Sequence, residues 1–174
     1  MGWFQRTFDP KIGSHLLREE GEVIVDEVPH HWVVYIVPFL ESLVAVALFY
    51  VFLISPVDLA WLPFLLSFAV LGHASWKALV EHMDRFVITN MRVFRVRGVL
   101  AQKLATMPLG RILDISVEKP FTGRLLNYGH FIFESAAQEQ GLREIRFVGR
   151  PYQRDLVIQR VVQRAGLRGP RVTN

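Results

Sequence analysis

Residues Trp32 to Ile54 read WVVYIVPFLESLVAVALFYVFLI, an apolar run in which Glu41 is the one charged side chain. A helix of roughly 20 apolar residues spans a hydrocarbon core about 30 Å thick, so this run is long enough to cross a bilayer. A second apolar run extends from Leu59 to Leu79, and only Ser-Pro-Val-Asp separates the two. Neither run has the polar face of a helix at a protein surface. The pattern therefore predicts a transmembrane hairpin of two antiparallel helices.

The distribution of Lys and Arg predicts how this hairpin is oriented. Arg6, Lys11 and Arg18 precede the first apolar run, Lys77 and Arg85 flank the end of the second, and the turn carries none. Positively charged flanks stay on the cytoplasmic side of a membrane. We therefore expect a two-helix protein of the cytoplasmic membrane with both termini in the cytoplasm. The first run starts after 31 mostly polar residues, which is unlike a signal peptide.

Composition limits what the remaining residues can do. The chain has 174 residues, enough for a hairpin and one compact domain. It contains no cysteine, which excludes disulfides, thiolate catalysis and zinc–thiolate sites. No phosphate-binding glycine motif or nucleophile motif is present, and the six histidines lack metal-ligand spacing. We expect no enzyme activity, no cofactor and no metal. The net charge of +4 is attributed to membrane topology and not to nucleic acid.

Glu41 needs a partner, because a carboxylate within an apolar helix is costly unless it is neutralised or paired. Counting inward from the same side of the membrane places His73 at a similar depth and Lys77 one turn further out. Glu41 is therefore expected to be either protonated or paired with one of these two residues. Such a site fits a proton relay or a contact with another membrane subunit. A local polar pair that holds the hairpin together is the favoured interpretation.

The pattern changes to alternating β-branched and aromatic residues after the second apolar run. It predicts an antiparallel domain with a hairpin turn near Asn90, a polar hairpin loop at Gln138–Gly141, and a closing amphipathic helix from Tyr152 to Ala165. Pro151 suits the start of that helix and Gly166 its end. The result is a small α+β domain, either a strongly bent sheet or an open barrel. The predicted strands are Arg85–Gly98 (in two halves), Val99–Met107, Ile112–Val117, Tyr128–Ser135 and Arg143–Val148.

Several short motifs occur in a characteristic order along the chain. They are Gly21-Glu22, Pro29-His30-His31-Trp32, Ile88-Thr89-Asn90-Met91-Arg92-Val93, Gly98-Val99-Leu100, Met107-Pro108-Leu109-Gly110-Arg111-Ile112 and Gly123-Arg124-Leu125-Leu126-Asn127-Tyr128-Gly129. From Gly21 to Gly166 the chain resembles the bacterial pleckstrin-homology-like (PH-like) membrane proteins. The resemblance implies two roughly orthogonal antiparallel sheets, as a barrel or sandwich, capped by a C-terminal helix. It implies no known catalysis.

The expected organisation has four parts. Residues 1–31 form a cytoplasmic N-terminal arm, 32–80 the transmembrane hairpin, 81–166 the PH-like cytoplasmic domain, and 167–174 a C-terminal tail. Residues 1–17 of the arm carry scattered apolar side chains. This stretch fits either a segment that lies on the membrane or on a partner, or a disordered leader.

Two groups of residues are candidate contact sites in the domain. The first is a basic patch for anionic lipid headgroups, whose alternative is a solvated strand face; it comprises Arg92, Arg95, Arg97 and Lys103. The second is a recognition loop that exposes Arg124 and Tyr128. Its glycines fit a tight turn between sheets, which is the favoured interpretation.

The leading functional hypothesis is a non-enzymatic, membrane-anchored interaction or scaffold protein. It would serve as an accessory or assembly subunit of a larger membrane complex, with membrane lipids and other membrane subunits as its partners. The alternative is a module that binds anionic lipid headgroups at the cytoplasmic surface.

Overall fold

The computed structural model describes residues 12–135 and 142–166. The chain divides into two compact units. One is a helical pair from Trp32 to His82, and the other combines the described residues up to His31 with those from Met83 onward. Within the described residues the secondary structure is α+β, with two antiparallel sheets and four α-helices.

The helical pair consists of α1 (Ile36–Ile54) and α2 (Val57–His82), with a 3-10 turn before α1 at Trp32–Tyr35. The buried residues of the two helices are small or compact, and residues of this kind let two helix backbones approach each other. They are Pro38, Ala45, Pro63, Ser67 and Ala74. Both helices are long and apolar enough to cross a membrane, and only 11% of each apolar window is buried.

The first sheet has four strands in the order β1-β2-β3-β4, all antiparallel. Its strands are β1 (Ile24–Pro29), β2 (Arg85–Thr89), β3 (Arg92–Arg97) and β4 (Lys103–Pro108). The β2–β3 hairpin is confirmed, with its turn at the predicted place. The next strand begins at Lys103 rather than Val99, because a loop follows Gly98. Strand β1 belongs to the segment that sequence analysis treated as a separate arm.

The second sheet has three antiparallel strands in the order β5-β6-β7. Helix α4 (Pro151–Arg164) follows it, as the helical periodicity predicted. A short helix, α3 (Phe121–Leu126), connects β5 to β6. The hairpin loop predicted at Gln138–Gly141 lies outside the described residues. The three strands are β5 (Ile112–Glu118), β6 (Tyr128–Ser135) and β7 (Glu144–Gly149).

The core of this unit lies between the sheets and α4. Aromatic and aliphatic side chains from both sheets meet there with Ile158, Val161 and Val162 of α4. Within the described residues the two sheets do not close into a barrel, which corrects the barrel alternative. An isolated antiparallel bridge between His30 and Val148 joins them at one corner. The sheet residues at the centre of the core include Phe86, Ile88, Val93, Met107, Phe131, Phe133 and Ile145.

The N-terminal segment covers the opposite face of the first sheet. Ile12 is buried against Val87, Phe94 and Val96, and Leu16 packs beside it. Residues 12–29 therefore contribute both a strand and a cover to the PH-like unit. This division differs from the expected one, in which residues 1–31 form an arm and the domain begins at residue 81. The part of the arm before Ile12 lies outside the described residues.

Candidate interaction surfaces

Arg92, the first candidate of the basic patch, is bound to a buried carboxylate. Its Nε and Nη2 donate to the two oxygens of Glu22 at 2.9 and 3.0 Å, and Glu22 has a fully buried side chain. Thr89 and the Leu17 amide also donate to that carboxylate, at 2.8 and 2.7 Å. Burial by itself raises the pKa of Glu22, but these hydrogen bonds outweigh it and lower the pKa below its ordinary value. The Arg92 guanidinium is therefore part of the domain's internal structure.

Arg95 is bound in the same way. Its Nε and Nη2 each donate to Asp84 at 2.7 Å, and both side chains are largely buried. His30 lies 3.8 Å from the same carboxylate. Asp84 comes just before β2 and His30 just after β1, so this cluster holds three strands together. Two of the four proposed lipid-binding cations are thus hydrogen-bonded to carboxylates within the domain.

Arg97 and Lys103 are the exposed members of the basic patch. They lie opposite each other at the ends of β3 and β4. The Arg97 side chain is 63% exposed, and its Nε is 3.9 Å from Asp84. The patch is therefore reduced to two neighbouring cations at one end of the first sheet.

Helix α3 presents an apolar surface that sequence analysis did not identify. Phe121 is 84% exposed and Leu125 is 80% exposed. They are four residues apart, so they share one face of the helix with Arg124. The signal in the sequence was this spacing, but six residues containing a glycine give too short a pattern to indicate a helix.

Tyr128 does not lie on that surface. It is 5% exposed, and its hydroxyl is hydrogen-bonded to Thr122. Tyr128 is therefore not exposed as the recognition-loop alternative requires, because its ring packs against His31 and Phe147. Arg124, in contrast, is exposed.

The glycines of this motif allow close packing around α3, although the segment is a short helix and not a turn between sheets. A Cβ on Gly123 would collide with the Tyr128 carbonyl oxygen, and a Cβ on Gly129 would lie 2.9 Å from the Glu118 carbonyl oxygen. Asn127 caps the C-terminal end of the helix, and its φ of 59° is in the left-handed region. This backbone geometry fixes the direction in which α3 presents Phe121 and Leu125.

Lys119 and Tyr152 lie close to the end of α3. The Lys119 ammonium lies 4.5 Å from the centre of the Tyr152 ring, and it is also 3.4 Å from the Asn127 side-chain oxygen. Together with Arg124, Lys119 gives an apolar surface with a basic border. We call Lys119, Phe121, Arg124, Leu125 and Tyr152 the α3 surface.

A second polar cluster lies within the helical pair. The Lys77 Nζ is 2.8 Å from one oxygen of Glu41, and the His73 Nδ1 is 3.0 Å from the other. The structure thus brings all three predicted residues together. The exposed fractions of the side chains are 25% for Glu41, 64% for His73 and 42% for Lys77. The His73 and Lys77 side chains of this cluster are consequently exposed at the surface of the helical pair.

Two further histidines are part of an aromatic cluster near the bridge between the sheets. Burial lowers the pKa of both His31 and His130. The Phe147 amide donates to His130 Nδ1 at 3.1 Å, an arrangement that requires this nitrogen to be unprotonated. Both rings contact Tyr128, so they are packed structural elements of the domain.

Among the described residues, no group of three His, Asp or Glu side chains converges as metal ligands. The convergent polar groups are ion pairs that join elements of the chain.

Comparison with known proteins gives one match. The family model for the bacterial PH domain matches residues 32–165, which is more than half of the chain and includes both apolar helices. Searches of curated proteins and of solved structures found no match. Domains of the PH type are generally non-catalytic interaction modules. The two antiparallel sheets and the helix that follows them fit that family. The chain belongs to the bacterial PH domain family.

Proposed function

We propose that this chain is a non-catalytic interaction protein that is anchored in the cytoplasmic membrane by its two apolar helices. Its PH domain would act on the cytoplasmic side as a docking module for a protein partner. In this role the chain would be an accessory or assembly subunit of a larger membrane complex.

The observation that carries the proposal is the uncovered apolar surface of the helical pair. Only 11% of each apolar window is buried, so most of these apolar residues are at least partly exposed. Apolar surface of this extent is unfavourable in water and favourable in a bilayer. A soluble protein would bury such helices in its core.

The charge distribution supports the proposed orientation. The turn between the helices has no Lys or Arg, whereas Lys and Arg residues precede α1 and follow α2 along the chain. This asymmetry favours cytoplasmic termini. The turn is also short, which leaves the PH domain as the main surface for partners.

The α3 surface supports a protein partner. Phe121 and Leu125 are more than three-quarters exposed, and their neighbours Lys119 and Arg124 are cationic. Large apolar side chains enclosed by polar ones are typical of interface centres. The basic border favours a partner segment that combines apolar and acidic side chains.

Affinity capture tests this proposal. The tagged full-length protein would be extracted in a gentle detergent, and co-purifying proteins would be quantified by mass spectrometry. We expect one membrane complex at a defined ratio from the unmodified chain, and its loss from a Phe121→Ser/Leu125→Ser double variant.

Leu113→Ser is the matched control for the capture experiment. Leu113 is also an exposed leucine of the same domain, at 62%, but it lies on β5. Its variant should retain the partner. Retention of the partner by the double variant would show that the α3 surface is not the docking site.

Binding of anionic headgroups is the alternative function, and Arg97 with Lys103 supports it. These two exposed cations are cross-strand neighbours, so one phosphate can contact both. Recovery of the chain without a protein partner but with anionic lipid would favour this function. Arg97→Gln/Lys103→Gln should then reduce the bound anionic lipid, and high salt should have the same effect.

A further inference from the structure

Within the Glu41–His73–Lys77 cluster, Glu41 and His73 lie at a depth where lipid tails offer no hydrogen bonds. Measured from the turn between the helices, Glu41 is about 20 Å and His73 about 24 Å along its helix. Lys77 is about 30 Å along, which is close to the full thickness of the hydrocarbon core. If the helical pair spans the membrane, as proposed above, Glu41 and His73 therefore lie inside the hydrocarbon core.

The cluster faces outward on one side of the helical pair. The His73 side chain is 64% exposed and the Lys77 side chain 42% exposed, although each contacts Glu41. A polar group that faces lipid tails is unfavourable, and such groups in membrane proteins face other protein or water. The exposed side of the cluster thus requires a cover.

The chemistry of the cluster indicates what that cover is. Lys77 has three N–H donors and Glu41 can accept about four hydrogen bonds, so both donors and acceptors remain beyond the two contacts described. A patch that has both is complementary to itself. Two-fold symmetric dimers place the same patch of each subunit against its copy, so that donors of one meet acceptors of the other.

We propose that the cover is a second copy of this chain, packed against the polar flank of the helical pair. In this dimer Lys77 of one copy donates to Glu41 of the other, in addition to its contact with Glu41 of its own chain. This inference rests on the proposed membrane anchoring. It adds that the anchored chain forms a dimer through its helical pair.

The absence of cysteine in the sequence permits a direct test by single-cysteine cross-linking in native membranes. Val37 and Val44 are exposed and lie on the same side of α1 as Glu41. Phe39 and Val46 are also exposed but lie on the other side, where Val46 lines an apolar groove. Each residue would be replaced by cysteine in the full-length chain, and the membranes would then be oxidised.

The dimer predicts a product of twice the chain's mass from Val37→Cys and Val44→Cys. Phe39→Cys and Val46→Cys, at nearly the same depths, should give little. Adding Glu41→Gln to Val44→Cys should lower the cross-linked fraction about fivefold. The level of the chain in the membrane provides the control for folding and insertion.

Several results would overturn the proposal. One is equal cross-linking from the two sides of α1, or no cross-linking from either side. Others are products that never have twice the chain's mass, and a cross-linked fraction of Val44→Cys that Glu41→Gln does not change. An alkaline wash separates this failure from failure of the proposed function. A chain that the wash removes from membranes is not anchored, whereas one that resists the wash and gives no dimer disproves the dimer alone.

Discussion

At the scale of single residues, two buried carboxylates determine what the arginines of the first sheet can do. Glu22 holds Arg92 and Asp84 holds Arg95, in each case through two hydrogen bonds. The sequence identified the arginines as candidates for binding but gave no sign of their partners. Glu22 lies 70 residues from Arg92, and no local pattern reveals a contact of that separation.

Replacing Glu22 by Gln should destabilise the PH domain by about 3 kcal/mol, because the Arg92 charge would remain buried without its counter-ion. The measurement is thermal unfolding of the full-length protein in detergent. Glu144→Gln is the control, since Glu144 also contacts an arginine through two hydrogen bonds, but at the surface. That variant should unfold like the unmodified chain.

The Glu22 pair also predicts a pH dependence. The folded-state pKa of Glu22 is lowered, so its ionised form stabilises the fold above the ordinary value of 4.5. This stabilisation is lost as the pH falls through the lower, folded-state pKa. The difference in unfolding temperature between the unmodified chain and Glu22→Gln should thus be constant near neutral pH and shrink below about pH 4.5. A difference that does not change with pH would contradict this account.

At the scale of elements, local patterns predicted local structure. The β2–β3 hairpin and α4 follow from alternation and helical spacing within a few residues, and the structure has both. Strand β1 could not be found in this way, because its strand character depends on pairing between Val28 and the distant Phe86. Helix α3 was missed because it is only six residues long.

The end of α3 gives a prediction for this element. Asn127 adopts φ 59°, a conformation that asparagine tolerates and a β-branched residue does not. Asn127→Val should destabilise the domain by about 1–2 kcal/mol. Asn127→Gly, which also removes the side chain's contact with Lys119, should cost less. Equal unfolding temperatures for the two variants would show that the backbone conformation is not what Asn127 provides.

At the scale of the whole molecule, the chain combines a helical pair with little buried surface and a PH domain with a well-packed core. The division was visible in the sequence, because charged residues are concentrated outside the two apolar runs. The α3 surface was not visible, because the exposure of Phe121 and Leu125 depends on how the chain packs between β5 and β6. In the proposed function, the helical pair anchors the chain in the membrane and the PH domain binds the partner.

The most direct test of membrane anchoring is thiol labelling of single-cysteine variants in intact spheroplasts. Val57 begins α2 at the turn and is 92% exposed, and Leu100 of the PH domain is 88% exposed. With a membrane-impermeant reagent, Val57→Cys should be labelled in intact spheroplasts, whereas Leu100→Cys should be labelled only after lysis. Labelling of Leu100→Cys from outside, or protection of Val57→Cys until lysis, would contradict a membrane hairpin with its PH domain in the cytoplasm.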